Sequence, residues 1–166
     1  MSLLAALILT QLPQVQCVTT NGKTACPQTP WGRCVATSGR LFCGDPSYET
    51  MQVLQDPPPV ECVTTSGTGA CGYGCKTTSG KAACAQTPWG DCVTTSGRIY
   101  CADPAPWAIR TWASRTREPM PRVSCVTTSG LGACGYDCKT TSGKAACSAA
   151  PWGRCVASNG NLTCSP

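Results

Sequence analysis

Histidine is absent from the 166 residues of this chain, and only one phenylalanine is present. Without imidazole, Ser-His-Asp and Cys-His catalysis and every zinc site that needs a histidine ligand are excluded. No Cys-x-x-Cys pair occurs either, so zinc ribbons and thioredoxin-type redox motifs lack their spacing. No nucleophile–base pair is visible, so we expect no enzymatic activity and no cofactor. Metal binding by thiolates alone stays open as an alternative.

Large apolar side chains are scarce in this sequence, whereas cysteine is abundant. Aromatic residues make up 6% of the chain, while 16 residues are cysteine, 17 are glycine and 14 are proline. So few large side chains cannot fill one sizeable core, and this much cysteine is typical of a disulfide scaffold. Because the cytosol keeps thiols reduced, we expect an oxidising compartment, either outside the cell or at its surface.

The charge is mildly basic, and the only long apolar run is N-terminal. A net charge of +5 arises from 13 basic and 8 acidic residues. This excess favours weak attraction to anionic polysaccharide, and it lacks the dense basic footprint of a nucleic-acid-binding protein. The apolar run at residues 3–9 is too short to span a bilayer, so no transmembrane span is predicted. Residues 1–16 are interpreted as a degenerate signal segment or as an apolar N-terminal arm.

Internal repetition dominates the sequence. The pattern Cys-x8-Cys occurs eight times, always with Ser or Asn at its fifth position and Gly at its sixth. Every cysteine belongs to one such decamer, and the pairs are Cys17/Cys26, Cys34/Cys43, Cys62/Cys71, Cys75/Cys84, Cys92/Cys101, Cys125/Cys134, Cys138/Cys147 and Cys155/Cys164. We predict that these eight local pairs are the disulfides of the protein.

The decamers are joined in a fixed order into repeats. A complete repeat has three decamers, with Gly-Tyr-x between the first two and x3-Pro-Trp-Gly-x between the last two. Residues 62–101 and 125–164 are complete copies that are identical at 28 of 40 positions. The chain therefore divides into the N-terminal segment 1–16, a partial repeat of two hairpins at 17–43, an acidic Pro-rich linker at 44–61, a full repeat at 62–101, a basic Trp/Arg/Pro linker at 102–124 and a full repeat at 125–166.

Each decamer is predicted to be a β-hairpin closed by a disulfide. Ser-Gly and Asn-Gly are signals for a two-residue turn, in which glycine supplies a positive φ. With this turn, the first cysteine faces the tenth residue at a non-hydrogen-bonded site, where Cα atoms lie about 4.5 Å apart. That separation suits a disulfide, and closing such a loop adds roughly 2.7 kcal/mol by the chain-entropy relation. The expected fold class is therefore all-β, small and disulfide-rich, a tandem array of eight disulfide-stapled β-hairpins in three repeat units.

Three groups of residues leave other functions open. The Trp of each Pro-Trp-Gly joint is able to stack on a sugar ring, although covering a disulfide is the simpler interpretation. Paired threonines suggest ice binding, but adjacent strand residues point to opposite faces, so strand propensity explains them better. Three interpretations stay open for the basic residue after the turn. It is a solvated turn residue, the residue that a trypsin-like protease recognises in an inhibitor loop, or a contact for anionic polysaccharide. These residues are Lys23, Arg40, Lys81, Arg98 and Lys144.

One string in this chain resembles a known sequence pattern. It reads CGYxCKTTSGKAACAxTPWGxCVTTSGRxxC, covers most of both complete repeats and matches half a unit at residues 17–43. The string is similar to the cysteine-rich repeats of uncharacterised secreted bacterial proteins, myxobacterial ones among them. This resemblance implies bacterial secretion and carries over no activity and no site residues.

Two function classes remain after these exclusions. The repeats, the cross-links and the missing catalytic inventory favour a structural protein of the cell surface or extracellular matrix, with a filament subunit as one form. The alternative is a secreted binding or inhibitory module that acts on a glycan or a protease. A structural protein would self-associate, whereas a binding module would act as a monomer.

Self-association is expected to run head to tail, because a repeat array with unlike ends adds subunits in one direction. The apolar arm would pack on a neighbouring subunit, where linker 44–61 would also meet linker 102–124 through opposite charge. A short helix is predicted at residues 106–117, with proline in its first turn and Glu118-Pro119 after it. The candidate assembly contacts are Leu3, Leu4, Leu7, Ile8, Leu9, Trp107 and Trp112.

Overall fold

The computed structural model describes residues 14–166, in which fourteen short strands and two helices occur. The helices are α1 (Tyr48–Val53) and α2 (Pro106–Arg115). The strands are β1 (Val18–Thr20), β2 (Lys23–Ala25), β3 (Arg33–Thr37), β4 (Arg40–Gly44), β5 (Glu61–Thr65), β6 (Thr68–Thr78), β7 (Lys81–Ala85), β8 (Asp91–Thr95), β9 (Arg98–Ala102), β10 (Ser124–Thr128), β11 (Leu131–Thr141), β12 (Lys144–Ser148), β13 (Cys155–Ser158) and β14 (Asn161–Cys164). The predicted fold class, all-β and disulfide-rich, is confirmed.

Every Cys-x8-Cys decamer is an antiparallel hairpin with the register that its turn signal predicts. In the second decamer, for example, Thr37 pairs with Arg40 across the turn and Cys34 pairs with Cys43 at the open end. In seven of the eight turns both central residues have positive φ, as at Ser38 (47°) and Gly39 (73°). This is the type I′ turn, whose twist matches that of the flanking strands.

All eight decamers are closed by a disulfide at their open end. The Cα atoms of the paired cysteines lie 4.0–4.1 Å apart. This separation is shorter than the value of about 4.5 Å expected for a non-hydrogen-bonded pair. The expected spacing is therefore corrected, because the disulfide draws the two strands together where the hairpin opens.

The hairpins stack face to face in chain order. They are numbered hairpin 1 (17–26), hairpin 2 (34–43), hairpin 3 (62–71), hairpin 4 (75–84), hairpin 5 (92–101), hairpin 6 (125–134), hairpin 7 (138–147) and hairpin 8 (155–164). All substantial contacts between strands of different hairpins join hairpins that are neighbours in the chain. A disulfide lies against the main chain of the preceding hairpin: Cys71 Sγ is 3.5 Å from the Phe42 carbonyl oxygen. The fold is therefore a column in which each level rests on the one before it.

The turns of the hairpins align along one edge of this column, the turn edge. A Cβ placed on Gly97 would lie 3.4 Å from Ser79 Oγ of the preceding turn, and one on Gly160 would lie 3.7 Å from Ser142 Oγ. The turn of hairpin 4 is an exception, because nothing lies within 4 Å of a Cβ placed on Gly80. The turn edge is therefore continuous except between hairpins 3 and 4, where this contact between turns is missing.

Both linkers fold back onto the column. Helix α1 begins at Ser47, whose hydroxyl accepts a hydrogen bond from the Thr50 amide at 3.2 Å. Helix α2 begins with proline in its first turn, as predicted, and ends at Arg115, because Thr116 is extended. The predicted helix is thus confirmed with an end two residues earlier, whereas the sequence analysis does not predict α1.

The two linker helices pack against each other within one chain. The sequence predicts that linkers 44–61 and 102–124 meet between subunits; the contact described here joins them within one chain, and a contact between subunits stays a prediction. No ion pair joins the linkers among the described residues, where the only one links Lys139 to Asp137 at 3.0 Å. The linkers meet because their apolar side chains share one small core rather than through opposite charge.

That core is the largest apolar cluster of the described residues. Its buried members come from the joint of hairpins 4 and 5, from the second linker and from the joint of hairpins 6 and 7: Trp89, Ile109, Met120, Val123 and Tyr136. Val53, Leu54 and Trp112 pack on it from α1 and α2. The linkers therefore supply most of this cluster, and the joints and Cys134 supply the rest.

Candidate functional site

All sixteen cysteines are bonded in the eight predicted local pairs, and none is free. The observed bonds are Cys17–Cys26, Cys34–Cys43, Cys62–Cys71, Cys75–Cys84, Cys92–Cys101, Cys125–Cys134, Cys138–Cys147 and Cys155–Cys164. The thiolate metal site that the sequence leaves open is therefore wrong, because no thiolate is available to bind a metal. Within residues 14–166, no group of three or more Cys, Asp or Glu side chains is arranged to hold a metal ion.

The cysteines differ in their surroundings, which the sequence does not reveal. Cys92 and Cys155, which open hairpins 5 and 8, are buried. Cys26 and Cys101, which close hairpins 1 and 5, are exposed. Cys134, which closes hairpin 6, packs against the linker core. Burial therefore differs even within one disulfide, since Cys92 is buried and its partner Cys101 is exposed.

The cysteines that close the middle hairpins of the two complete repeats lie against the Gly-Tyr joints. A Cβ placed on Gly72 would come within 2.7 Å of Cys84 Cβ, and one on Gly135 would come within 2.6 Å of Cys147 Cβ. The carbonyl oxygens of Ala85 and Ser148 lie closer still, so the main chain and the disulfide together occupy the space that a side chain at the joint would need. Cys84 and Cys147 therefore constrain the joint sequence in addition to closing their hairpins.

Complementary side-chain sizes mark the two junctions between repeats. Phe42 on hairpin 2 fits over Gly69 on hairpin 3, where an added Cβ would come within 2.8 Å of the ring. Tyr100 on hairpin 5 fits over Gly132 on hairpin 6, where the same atom would come within 2.7 Å. In each case a large aromatic residue of one repeat meets a glycine of the next. The pairing sets the stacking order across a repeat boundary.

The tyrosine of each Gly-Tyr joint anchors the preceding linker. Tyr73 Oη donates a hydrogen bond to the Pro58 carbonyl at 2.8 Å, and Tyr136 Oη donates to the Pro121 carbonyl at 2.9 Å. Burial raises the pKa of Tyr73 to about 12 and raises the pKa of Tyr136 even further. Both phenols are therefore neutral donors that tie one repeat to the linker before it.

The three joint tryptophans have three different environments, although the sequence treats them alike. Trp89 is buried in the core cluster, so it is closed to a sugar ring. Trp31 Nε1 donates to Asp56 Oδ1 at 2.7 Å and joins the first linker to its repeat. Trp152 is 42% exposed and meets Trp107 edge to face, with ring centroids 5.6 Å apart. Among these three, the Trp152–Trp107 pair presents the ring surface best suited to sugar stacking.

An aspartate that the sequence analysis missed caps the Pro-Trp-Gly joint in two repeats. Asp103 accepts hydrogen bonds from the amides of Gln86 and Thr87 at 2.7–3.0 Å and from the Thr87 hydroxyl at 2.8 Å. Asp45 makes the equivalent bonds in the first repeat. The sequence does contain a signal for this cap, because each linker begins with an Asp-Pro pair two residues after a cysteine that closes a hairpin.

In both complete repeats a carboxylate accepts a hydrogen bond from the amide of the cysteine that opens the third hairpin, but the two carboxylates stand at different positions of the repeat. In the second repeat Asp91 accepts from the amide of Cys92 at 2.8 Å, whereas in the third repeat Asp137 accepts from the amide of Cys155 at 2.8 Å. That amide bond, together with Lys139, lowers the pKa of the exposed Asp137 carboxyl. A comparison of the two repeats reveals the exchange, because Gly74/Asp91 in one becomes Asp137/Arg154 in the other.

The residues proposed for assembly fall into two groups. Trp107 and Trp112 both have contacts within the chain: Trp107 meets Trp152, and Trp112 packs on the core while its Nε1 donates to the Glu118 carbonyl at 3.0 Å. The other group, namely Leu3, Leu4, Leu7, Ile8 and Leu9, lies outside the described residues. Both tryptophans therefore already make contacts within the chain, so a neighbouring subunit would meet only the remaining ring surface.

The turn edge carries positive charge only. The five basic residues that follow the turns are all exposed there: Lys23, Arg40, Lys81, Arg98 and Lys144. All eight acidic residues of the chain lie in joints and linkers, so no decamer contains one. The charges are therefore segregated, with a purely basic edge at the turns and mixed charges at the opposite ends of the hairpins.

A groove of about 550 Å³ opens at hairpin 4, where the contact between successive turns is missing. Its lining residues come from the second strands of hairpins 3, 4 and 5 and from the turn of hairpin 4: Thr68, Gly80, Lys81, Ala82, Ala83, Arg98, Ile99 and Tyr100. The groove thus combines two basic residues with small and aliphatic side chains, while the Tyr100 ring packs over Gly132 of hairpin 6. The sequence identifies the two basic residues but does not reveal the groove between them.

No protein family, curated protein or solved structure matches this chain. Neither helix in residues 14–166 has the length and apolar character that crossing a membrane requires. The column with its cross-links, and the basic edge with its groove, are therefore the two features from which function is inferred.

Proposed function

We propose that this chain is an extracellular or cell-surface structural repeat protein, a subunit of a filament or matrix that is stabilised by disulfides. The observation that carries the proposal is that each of the eight levels of the column is closed by a disulfide of its own. Cross-linking at every level supports a role in holding shape, and it supports an oxidising compartment. The resemblance to secreted bacterial repeats supports a bacterial source.

Self-association head to tail is part of this proposal. Inside the column, the outward face of each hairpin is covered by the cysteine face of the next one, as Tyr100 and Val93 are covered by Gly132. Among residues 14–166, nothing covers the corresponding outward face of hairpin 8 at Val156, which is 63% exposed. The cysteine face of hairpin 1 is also exposed at Cys17. Inside the chain, faces of these two kinds pack against each other. The outward face of hairpin 8 in one copy therefore fits against the cysteine face of hairpin 1 in a second copy.

Sedimentation velocity and negative-stain microscopy of the intact protein test this proposal. We expect concentration-dependent linear oligomers, and we expect Val156→Asp to weaken their association at least tenfold by placing a charge in the contact. The matched control is Tyr48→Asp, because Tyr48 is 72% exposed and lies in the first turn of α1, away from either end face. A wild-type protein that stays monomeric at high concentration contradicts the proposal, as does equal assembly by Val156→Asp.

A second candidate function is glycan binding, which the basic turn edge favours. Five exposed cations without a carboxylate in any decamer form a surface suited to an anionic polysaccharide. The expected attraction is weak and falls with ionic strength, because exposed charges are screened. Retention of the protein on an anionic polysaccharide resin, eluted by salt at neutral pH, tests this function. A protein that passes through such a resin at low salt contradicts it.

A further inference from the structure

We propose that the groove across hairpins 3 to 5 is a binding site for one acidic sugar unit of a polysaccharide, a pyranose ring that carries a carboxylate or sulfate group. This inference rests on the proposed glycan binding, and it adds the place of the site and the chemistry of the unit that it binds. The site is formed by shape, by charge and by a difference between the two complete repeats.

The shape of the groove suits one sugar ring with its substituents. Its volume of about 550 Å³ falls within the range of about 300–1,000 Å³ that is usual for small-molecule sites. Ala82 and Ala83 of hairpin 4 lie in the middle of the groove, where their methyl groups fill little space. Thr68 of hairpin 3 lines one side, and Arg98, Ile99 and Tyr100 of hairpin 5 line the other, although the Tyr100 ring itself packs over Gly132 of hairpin 6. A pyranose presents apolar C–H faces, which fit against the alanines and Ile99.

Two cations at the rim of the groove give the site its charge preference. Lys81 and Arg98 occupy equivalent positions after the turns of adjacent hairpins, and both side chains are exposed. Neither takes part in an ion pair among residues 14–166. A guanidinium binds a carboxylate or sulfate through two parallel hydrogen bonds, and an ammonium adds a compact positive charge. The pair therefore favours an acidic group on the bound ring over a neutral one.

The third repeat lacks this site although its sequence is similar. Hairpin 7 keeps the residues in the middle of the groove, because Gly143 to Ala146 are identical to Gly80 to Ala83. The other four lining residues all change, and Thr68, Arg98, Ile99 and Tyr100 become Leu131, Asn161, Leu162 and Thr163. The lysine there is also engaged, since Lys144 Nζ donates to the Gly160 carbonyl at 3.3 Å and to Asn161 Oδ1 at 3.5 Å.

The differences between the repeats are concentrated at the groove. Only 12 of the 40 aligned positions differ, yet four of them fall on the eight lining residues. The changes replace Arg98, which is the group best suited to the acidic substituent of a sugar. The geometry therefore points to one site per chain, on the second repeat.

Isothermal titration calorimetry with the full disulfide-bonded chain tests this site. The ligands are a uronate hexasaccharide, a sulfated hexasaccharide and a neutral glucose hexasaccharide, together with a single-stranded oligonucleotide of matched charge. We expect one site per chain for at least one of the acidic hexasaccharides, and at least tenfold weaker binding of the neutral one and of the oligonucleotide. The two acidic arms distinguish a carboxylate from a sulfate as the recognised group.

A matched pair of variants separates the groove from general charge. Lys81→Gln with Arg98→Gln removes the two cations of the rim, and Arg110→Gln with Arg115→Gln removes two exposed cations from α2. The net charge of the two variants is the same. We expect the first to weaken binding of the acidic hexasaccharide at least tenfold and the second to change it less than twofold. Unchanged circular dichroism and disulfide maps confirm that both variants fold.

Three outcomes overturn the assignment of the groove. These are equal weakening by both variants, equal affinity for the neutral hexasaccharide or the oligonucleotide, and two equivalent sites per chain. If polysaccharide binding survives in Lys81→Gln with Arg98→Gln but is lost in Arg40→Gln with Lys144→Gln, the groove is wrong and binding by the turn edge stands. If the wild-type chain binds no acidic polysaccharide, both proposals fail.

Discussion

Replacing Gly132 with alanine is expected to destabilise the protein, although this substitution stabilises many proteins. Gly132 lies in a strand, so alanine there carries no positive-φ penalty. The added Cβ would lie 2.7 Å from Tyr100 Cδ2, 2.9 Å from Cγ and 3.1 Å from Val93 Cγ1. The ring has little room to retreat, because Tyr100 Oη donates to the Gly130 carbonyl at 3.3 Å. The methyl therefore forces hairpins 5 and 6 apart.

The magnitude follows from two opposing effects. A glycine-to-alanine change in strain-free backbone stabilises by about 0.4–1 kcal/mol through the unfolded state. Overpacking of a tight contact costs about 1–3 kcal/mol, so the net loss is about 0.5–2 kcal/mol. For a chain of this length, each kcal/mol shifts the Tm by about 2–4 °C. The Tm of the Gly132→Ala variant is therefore expected to fall by about 1–8 °C.

Differential scanning calorimetry with the disulfides intact measures this change. The same substitution in a Tyr100→Ala background provides the control, because the smaller side chain leaves room for the methyl. There we expect Gly132→Ala to be neutral or stabilising, which makes the two changes strongly non-additive. A higher Tm for Gly132→Ala in the wild-type background would refute the reasoning, since it would show that the junction is loose.

Three further predictions concern the joints and the cross-links. Asp103→Ala leaves two amides and one hydroxyl without their acceptor. We therefore expect denaturant unfolding to show a loss of about 1–3 kcal/mol in the free energy of unfolding, whereas Asp103→Asn should keep part of this stabilisation. The pKa of Tyr73 is raised from 10.0 to about 12, so this phenol loses its proton at a lower pH in the unfolded chain than in the folded one. The free energy of unfolding therefore falls as pH rises from about 10 towards 12. Tyr73→Phe should make this fall shallower, and an unchanged pH profile would argue against a buried phenol. Peptide mapping without reduction should find only the eight local disulfides, and a Cys71–Cys75 link would disprove the pairing.

The hairpins and their disulfides are predictable from sequence because everything that determines them lies within ten residues. The Ser-Gly or Asn-Gly turn sets the register, and the register places the two cysteines opposite each other. No knowledge of the rest of the chain is needed, so the same reasoning holds at Cys17/Cys26 and at Cys155/Cys164. The helix at Pro106 is also a local prediction, since proline in the first turn marks its start.

The groove, the linker core and the covering of individual disulfides escape prediction because they depend on residues that are distant in sequence. Gly132 reads as a weak strand residue until Tyr100 is placed above it. The groove at hairpin 4 is lined by residues of three hairpins, so no single decamer predicts it. Helix α1 has only six residues, too few for a periodic pattern, and its serine cap is the one signal that it offers.

The local disulfides determine how the chain responds to tension. A pulling force transmitted along the backbone passes through each disulfide, because the two cysteines of a hairpin already lie 4.0–4.1 Å apart at the Cα atoms. The nine-residue separation between them would otherwise extend to about 30 Å. Eight closed loops thus withhold roughly 200 Å of contour length that only a reductant releases. In the oxidised molecule the joints and linkers extend once their packing gives way, whereas the contour length inside the hairpins is released only by reduction.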